Sequence, residues 1–464
     1  MNRFRFFLAL WLGKIIYRLV RFFRRGGGTA LPGLVTTTIA PHFLNAVIQQ
    51  LPYGSLTITG TNGKTTTTRM LYGILTAAGF HPISNRQGSN LLRGLVSTTL
   101  TESDSRGHFS ADIGLWETDE FALLPISQEL KPRVMIITNL FRDQLDRYGE
   151  IEKIRLIWQQ ILSKFPGTTT LVLNGDDPAV ASLGCGYNGP VIYFGLGDES
   201  WHLHGKVHAI DVRTCRLCDG PLTYKANFLG HLGDYTCTRC DFTRPPLSVM
   251  AKEVLPVGLN GMDFVIHSSK GRLPLRLNLS GIYNVYNALA ATAGAIALGI
   301  DLDKIQKSLA TFSPAFGRFE CLQMKNRTVY VILIKNPIGC NAVLRTILQT
   351  TDRQLSILIA INDLIADGRD VSWLWDVDFD ILADRVELVT TSGIRASDMT
   401  LRLKYAGVKT DGIREVANLE TALADAIERV PEGGTLYCLP TYTAMLSLQS
   451  ILTMWGYKPP YWEE

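Results

Sequence analysis

The run Gly60-Thr61-Asn62-Gly63-Lys64-Thr65-Thr66 constrains this chain more than any other feature. A short β-rich run, Ser55 to Thr59, precedes it, and a helix-like run, Thr65 to Ala78, follows until Gly79 stops it. Strand, glycine loop and helix in that order make an anion cradle. N–H groups of the loop and of the helix N-terminus face phosphate oxygens, Lys64 neutralises their charge, and the Thr65 hydroxyl is placed for Mg²⁺. The spacing is tighter than the general G-x-x-x-x-G-K-[ST] pattern, because only Gly60 and Gly63 precede Lys64. ATP with Mg²⁺ is the expected ligand.

Strand-like runs recur after the loop at Ile113 to Trp116, Val134 to Thr138, Leu171 to Leu173 and Val191 to Phe194, with helix-compatible segments such as Glu152 to Phe165 between them. That alternation predicts an α/β fold, a parallel sheet covered by helices. Open sheets of this kind place their sites at the carboxyl ends of the strands. Two segments fall there. Trp116-Glu117-Thr118-Asp119-Glu120 offers carboxylates, of which Glu117 is the first choice for Mg²⁺. Asn139-Leu140-Phe141-Arg142-Asp143-Gln144-Leu145-Asp146-Arg147 offers Asn139, Asp143 and Asp146 for nucleotide, metal or water positioning, although such a run alone also reads as a helix cap.

From Trp201 to Pro246 the rhythm breaks. Cys215-x-x-Cys218 and Cys237-x-x-Cys240, eighteen residues apart, have the spacing of a four-cysteine zinc ribbon in an insertion at about 205–246. Four thiolates leave a zinc ion no open position, so a structural Zn²⁺ is expected, with two disulfides as the alternative. The other four cysteines are scattered, which suits a reducing compartment. His202, His204, His208 and His231 read as surface residues or as partners of the ligands rather than ligands.

A net charge of +4 over 464 residues does not call for nucleic acid as a partner. Within the insertion Arg213, Arg216, Arg239 and Arg244 are offset by Asp211, Asp219, Asp234 and Asp241, so no basic face forms. Charge is concentrated instead in residues 3–25, where arginines and Lys14 interrupt an apolar stretch too often for a membrane span. Lys14, Arg18, Arg21 and Arg25 recur at helical spacing, which predicts a basic amphipathic helix. It is expected either to lie on an anionic membrane or to pack on the body. No signal-peptide pattern is clear, so the expected location is cytoplasmic, peripheral to the inner face of the cell membrane. Gly26-Gly27-Gly28 and Pro32-Gly33 read as a linker, and Ile39 to Leu51 as a short helix.

The phosphate loop, the Glu117 segment, the Asn139 segment, Asn174-Gly175-Asp176-Asp177-Pro178, Gly281-x-Tyr283-Asn284-Val285-Tyr286-Asn287-Ala288 and Gly317-Arg318-Phe319-Glu320 come in the order seen in the Mur ligases. The chain resembles that family over nearly its whole length after the first helix. The resemblance implies a central P-loop ATPase domain at 51–312 carrying the zinc ribbon, a smaller α/β domain at 313–464, and residues 1–50 as helix and linker. It implies that Asn284 and Asn287 help hold the adenine and that Arg318 reaches the nucleotide from the domain junction. Mur ligases use ATP to turn a carboxylate into an acyl-phosphate that an amine attacks.

Lys335-Asn336-Pro337-Ile338-Gly339-Cys340-Asn341, Asn362-Asp363 through Ser372-Trp373, and Ser392-Gly393-Ile394-Arg395 are similar to the amidating branch of the family. That narrower resemblance implies a lipid II substrate at the membrane surface, whose D-glutamate α-carboxylate is activated. It also implies ammonia from a separate glutaminase resembling GatD, in a heterodimer that makes D-isoglutamine. Asp363 is the candidate to complete the glutaminase site, with Asp367 and Asp370 on the same loop as alternatives. Where other Mur ligases carry an Asp-Tyr-Ala-His-like segment, this chain has Lys335-Asn336-Pro337, which argues against an amino-acid co-substrate. The competing expectation is a Mur- or folylpolyglutamate-type ligase that adds an amino acid.

Overall fold

The computed structural model describes residues 3–22, 30–85, 89–142, 151–203, 211–313, 318–351 and 354–458. Its larger sheet begins with six parallel strands: β1 (Ser55–Thr59), β2 (Pro82–Ser84), β3 (Ile113–Glu117), β4 (Val134–Ile137), β5 (Thr170–Asn174) and β6 (Val191–Leu196). Their Ile, Leu and Val content follows from burial on both faces, and every residue of β1, β3 and β4 is buried. A separate hairpin, β7 (Leu222–Leu229) and β8 (Leu232–Cys237), comes next. The chain then rejoins the sheet as β9 (Val249–Pro256), β10 (Met262–Ser268) and β11 (Gly271–Leu277), for an order β11-β10-β9-β6-β5-β4-β1-β3-β2.

Strand β9 is parallel to β6, but β10 is reversed and pairs antiparallel with both β9 and β11, an edge that the wholly parallel expectation lacked. The reason lies in the pattern of β11, whose residues alternate buried and exposed because one face meets solvent.

Helices on the first unit are α1 (Arg3–Phe22), α2 (Ala30–Ile39), α3 (Phe43–Ile48), α4 (Lys64–Ala77), α5 (Leu92–Glu102), α6 (Leu123–Glu129), α7 (Ile151–Leu162), α8 (Pro178–Ala181), α9 (Ile282–Ala297) and α10 (Leu302–Ala310). Pro32 and Gly33, read as linker, lie inside α2. Proline is tolerated in a first turn. Gly33 lets α2 cross α5 closely: a Cβ there would stand 1.9 Å from the Arg93 carbonyl oxygen. Helix α1 packs on α2 and α5. Lys14 is half-buried and donates to the Ser103 carbonyl, while Phe4, Leu8, Trp11, Ile15, Leu19 and Phe22 form an exposed apolar stripe.

The second sheet contains β12 (Arg318–Met324), β13 (Arg327–Ile332), β14 (Leu355–Ala360), β15 (Val386–Ser392), β16 (Ile413–Glu415) and β17 (Thr435–Pro440), in the order β12-β13-β17-β14-β15-β16. Only β12 pairs antiparallel, through a two-residue turn at Lys325 and Asn326. Its helices are α11 (Pro337–Thr350), α12 (Ala396–Tyr405), α13 (Leu419–Arg429) and α14 (Tyr442–Met454).

Helix α9, alanine-rich and almost wholly buried, presses against the large sheet, with Gly294 facing Ile136 too closely for a Cβ. It is pinned by Asp176, which accepts from the Tyr286 hydroxyl at 2.6 Å and the Leu196 N–H at 2.7 Å and pairs with Arg244 at 2.6 Å. Burial pushes the Asp176 carboxyl up to about 6, against the opposing pull of Arg244 and the two donors. Tyr286→Phe keeps the ring and removes one donor to this buried acid. It is expected to lower stability by about 1–3 kcal/mol in urea unfolding; an unchanged midpoint would show that the bond contributes nothing net.

Candidate active site

Strands β1, β3 and β4 are neighbours, and the loops leaving their carboxyl ends converge. The loop after β1 is shaped by Gly60 (φ 130°) and Gly63 (φ 87°), backbone conformations that side chains disfavour. Gly63 is also the N-cap of α4, and a Cβ on it would stand 2.0 Å from Asn287 Oδ1. Asn139, just past β4, grips one peptide of this loop twice. Its Oδ1 accepts the Asn62 N–H at 2.8 Å and its Nδ2 donates to the Asn62 carbonyl at 3.0 Å. Thr61 is held by Phe141, which donates its N–H to the Thr61 hydroxyl at 3.0 Å.

The charged groups meet beside this frame. Thr65 Oγ1 donates to Glu117 Oε1 at 3.1 Å, so the two expected Mg²⁺ ligands share one spot. Asn85 fixes the backbone of Glu117 from both sides, at 2.9 and 2.8 Å. The Lys64 ammonium donates to the Thr61 carbonyl and to Glu120 Oε1, both at 3.1 Å. Lys64 and Glu120 are both buried, and Glu120 is a site residue that sequence reasoning passed over in favour of Glu117. Asn284 and Asn287 bond to each other on α9, and the Thr67 hydroxyl donates to Asn287 Oδ1 at 3.4 Å. Thr66 follows in the first turn of α4 and lines the same space.

These residues line a cavity of about 440 Å³, a size that suits a small cofactor. The second unit closes it with Lys335, Ile338, Gly339, Asp367 and Tyr442. Asn336, fully buried, donates from Nδ2 to Asn62 Oδ1 at 2.9 Å while its own Oδ1 caps α11 by accepting the Gly339 N–H at 2.8 Å. The sequence signal for it was Asn-Pro before a helix, which marks the cap without revealing what the side chain touches. The side chain of Arg318 lies outside the described residues, as do Asp143, Asp146, His204 and His208.

Cys215, Cys218, Cys237 and Cys240 come together with all four sulfurs within 4.8 Å of one another. Cys215 and Cys240 stand 3.6 Å apart and Cys218 and Cys237 3.5 Å, too far for disulfides. Tetrahedral zinc with Zn–S near 2.3 Å needs sulfurs roughly 3.8 Å apart, so the donor set fits that ion. His202 and His231 serve the fold instead. His202 accepts the Asn227 N–H at 3.0 Å, and His231 is buried against Phe141, its Nε2 3.4 Å from Asp177 Oδ1.

On the loop after β14 the three aspartates separate by environment. Asp367 is buried and accepts the N–H groups of Thr443 at 2.7 Å and Leu364 at 3.2 Å, holding the start of α14. Asp363 is partly exposed and paired with Arg395 at 2.7 Å. Asp370 is exposed and accepts the Ser372 N–H at 2.8 Å.

Residues 58–232 match the Mur ligase middle domain and residues 333–445 the MurT ligase C-terminal domain. The chain is 33% identical to a lipid II isoglutaminyl synthase (glutamine-hydrolyzing) subunit MurT of Streptococcus pneumoniae, over 92% of this chain and 93% of that one. Among solved structures, a pseudomurein peptide ligase type C from Methanothermus fervidus superposes with a TM-score of 0.67 at 26% identity, covering 86% of this chain and 78% of the other. The MurF ligase of Thermotoga maritima, solved with ADP, shares the fold with a TM-score of 0.64 at 14% identity, over 90% and 83% of the two chains.

Gly63→Ala imposes left-handed strain of about 1–2 kcal/mol and drives a methyl into Asn287. It is expected to weaken ADP binding at least tenfold in isothermal titration, with the far-ultraviolet circular dichroism unchanged. Wild-type affinity in that variant would show that the loop does not hold the phosphates.

Proposed function

Because this chain belongs to the Mur ligase family, and within it to the MurT subunits, we propose that it is the ATP-dependent ligase subunit of a two-chain lipid II amidating enzyme. The observation that carries the reading is the convergence of phosphate loop, Thr65–Glu117 pair and Asn284–Asn287 pair on one cavity closed by the second unit. The D-glutamate α-carboxylate of the lipid II stem peptide attacks the γ-phosphorus of ATP, and ADP leaves with the bridging electrons. Ammonia then adds to the acyl-phosphate carbon, phosphate departs with the C–O bond, and a proton lost from nitrogen leaves the neutral amide of D-isoglutamine.

The chain's own groups serve the first step by placement and charge. Loop and helix N–H groups from Gly63 to Thr66 orient the phosphates, the Thr61 and Asn62 N–H groups being taken up by Asn139, and Lys64, already desolvated, offsets charge on the transferring group. Thr65 and Glu117 would hold Mg²⁺, which when bound supplies the remaining positive charge. Arg318 is assigned to the nucleotide from the family resemblance. Asn139 keeps the loop in register, and Asn284 and Asn287 face the nucleoside. The Cys215, Cys218, Cys237 and Cys240 site holds a structural Zn²⁺.

Ammonia is the acceptor that fits Lys335-Asn336-Pro337, since Asn336 is committed to Asn62 and to the cap of α11. At neutral pH free ammonia is nearly all protonated, so a glutaminase partner resembling GatD is the source. Asp363 is the residue lent to that partner: it stands past the carboxyl end of β14 and is accessible, whereas Asp367 is occupied in holding α14. Helix α1 supports peripheral attachment at the cytoplasmic face. Its apolar stripe is exposed, with Phe4 and Phe22 at 72% and 80%, and Arg3, Arg5 and Arg18 are exposed as well. No helix among the described residues is long and apolar enough to cross a membrane. That combination suits a helix lying in an anionic interface.

Incubation of the chain and its glutaminase with ATP, Mg²⁺, glutamine and lipid II is expected to replace one hydroxyl of the substrate by an amino group, read by mass spectrometry. A mass gain with a free amino acid, and none of this change with ammonium, would sink the reading. In the same assay Asp363→Asn is expected to abolish glutamine-driven amidation while leaving ammonium-driven amidation intact. If both persist, another aspartate serves the partner. Trp11→Glu is expected to reduce co-sedimentation with phosphatidylglycerol vesicles by about tenfold, in line with moving one large apolar contact out of the interface; equal sedimentation would count against α1 as the attachment.

A further inference from the structure

The β7–β8 hairpin forms a two-stranded sheet of its own, and such a pair is marginal in water without further support. Its two ends are built differently. Leu222, Thr223, Tyr224 and Lys225, near the cysteines, alternate between partly buried and exposed. Ala226, Asn227, Phe228 and Leu229, at the far end, are buried without a break, and β8 opens on buried Leu232 and Gly233. Register shifts between Tyr224 and Ala226 and between Asn227 and Leu229 turn the strand as it enters the core. The tip therefore sits inside the ATPase unit while the four thiols close the base.

Leu229 and Leu232 share a core cluster with Ile282 and Tyr286 of α9 and line the same cavity as the phosphate loop. The cavity is polar where Asn62 to Thr66 border it and apolar where Leu229, Leu232, Leu279 and Ile338 do. We propose that the hairpin tip is part of the nucleotide site: Leu229 and Leu232 form the apolar wall for the purine ring, and the metal held by the four cysteines fixes that wall. The proposal rests on the cavity being the ATP site.

Both directions of this coupling have a physical route. At the tip, the Gly233 N–H donates to the Asp176 carbonyl at 2.9 Å, and the Tyr235 hydroxyl to the Gly175 carbonyl at 3.1 Å. Beyond the base, Arg244 reaches back to the Asp176 carboxylate, which also holds Tyr286 on the helix that carries Asn284 and Asn287. Without a metal the two Cys-x-x-Cys turns lose what ties them together, and the tip must be ordered at the expense of nucleotide binding energy. Linkage then requires the converse, that bound nucleotide tightens metal binding.

The test uses the full-length, zinc-loaded chain, with ADP as the probe. Leu229→Ala is expected to weaken ADP binding about tenfold in isothermal titration, the scale of one large apolar contact. Thr223→Ala, at the exposed base, is expected to bind as wild type, and Leu229→Met, which conserves volume, to lose less affinity than Leu229→Ala. In equilibrium competition with a chromogenic chelator, the wild type is expected to retain more zinc when ADP saturates it. Unchanged ADP affinity in folded Leu229→Ala, or zinc retention that ignores ADP, overturns the proposal. Failure of the zinc-loaded wild type to bind ADP at all would instead overturn the nucleotide-site reading beneath it.

Discussion

The site depends on one loop being held in a conformation it would not keep alone. Residues 60–64 join a fully buried strand to a helix through two glycines with positive φ, and the turn is useful only if its N–H groups stay aimed at a common point. Asn139 enforces this by occupying both the N–H and the carbonyl of Asn62, so neither can rotate independently. Because Asn139 leaves β4, which lies directly beside β1, the register of the parallel sheet becomes the register of the phosphate cradle. Burying the Lys64–Glu120 pair in the same place is costly in desolvation, and removing either charge alone would leave the other uncompensated.

Two contacts carry that order from the first unit to the second. Asn336 reaches the Asn62 side chain, and Arg142 pairs with Asp376 at 3.2 Å while also holding Asp211. Burial works against the Arg142 charge, but the neighbouring Asp211 and Asp376 outweigh it and raise the pKa of the guanidinium. One contact is a neutral hydrogen bond inside the cavity wall and the other an ion pair at its margin. Salt weakens the second far more than the first.

The parts written in local spacing were legible in the sequence. Gly60 to Thr66 between strand and helix, the paired Cys-x-x-Cys turns, and the carboxyl-end position of Glu117 all follow from residues a few positions apart, because their chemistry is local. Glu120 and Asn336 were not legible as site residues, since their partners lie 56 and 274 residues away and only the packed units bring them together. Pro32-Gly33 was misread because the glycine answers to a neighbouring helix rather than to a turn. On α1 the amphipathic spacing was legible, but the turn of Lys14 to the Ser103 carbonyl was not, because no periodicity in residues 3–22 can report it.

The loop after β14 shows how one segment can serve two chemistries. Ala366 and Asp367 border the cavity, and Asp363, four positions earlier, is partly exposed beside Arg395. Asp367 ties the loop to α14 through Thr443, and Asn362 ties it again, donating to the Thr443 hydroxyl at 3.0 Å and accepting the Ile394 N–H at 3.0 Å. The segment carrying the inner and outer aspartates is thus held at both ends by hydrogen bonds, those to Thr443 half-buried. A loop held this way cannot shift its outer carboxylate without straining the cavity wall, because the same few residues form both. Under the proposed function, placement of a partner on the outer face and placement of the nucleotide within are therefore constraints on a single turn.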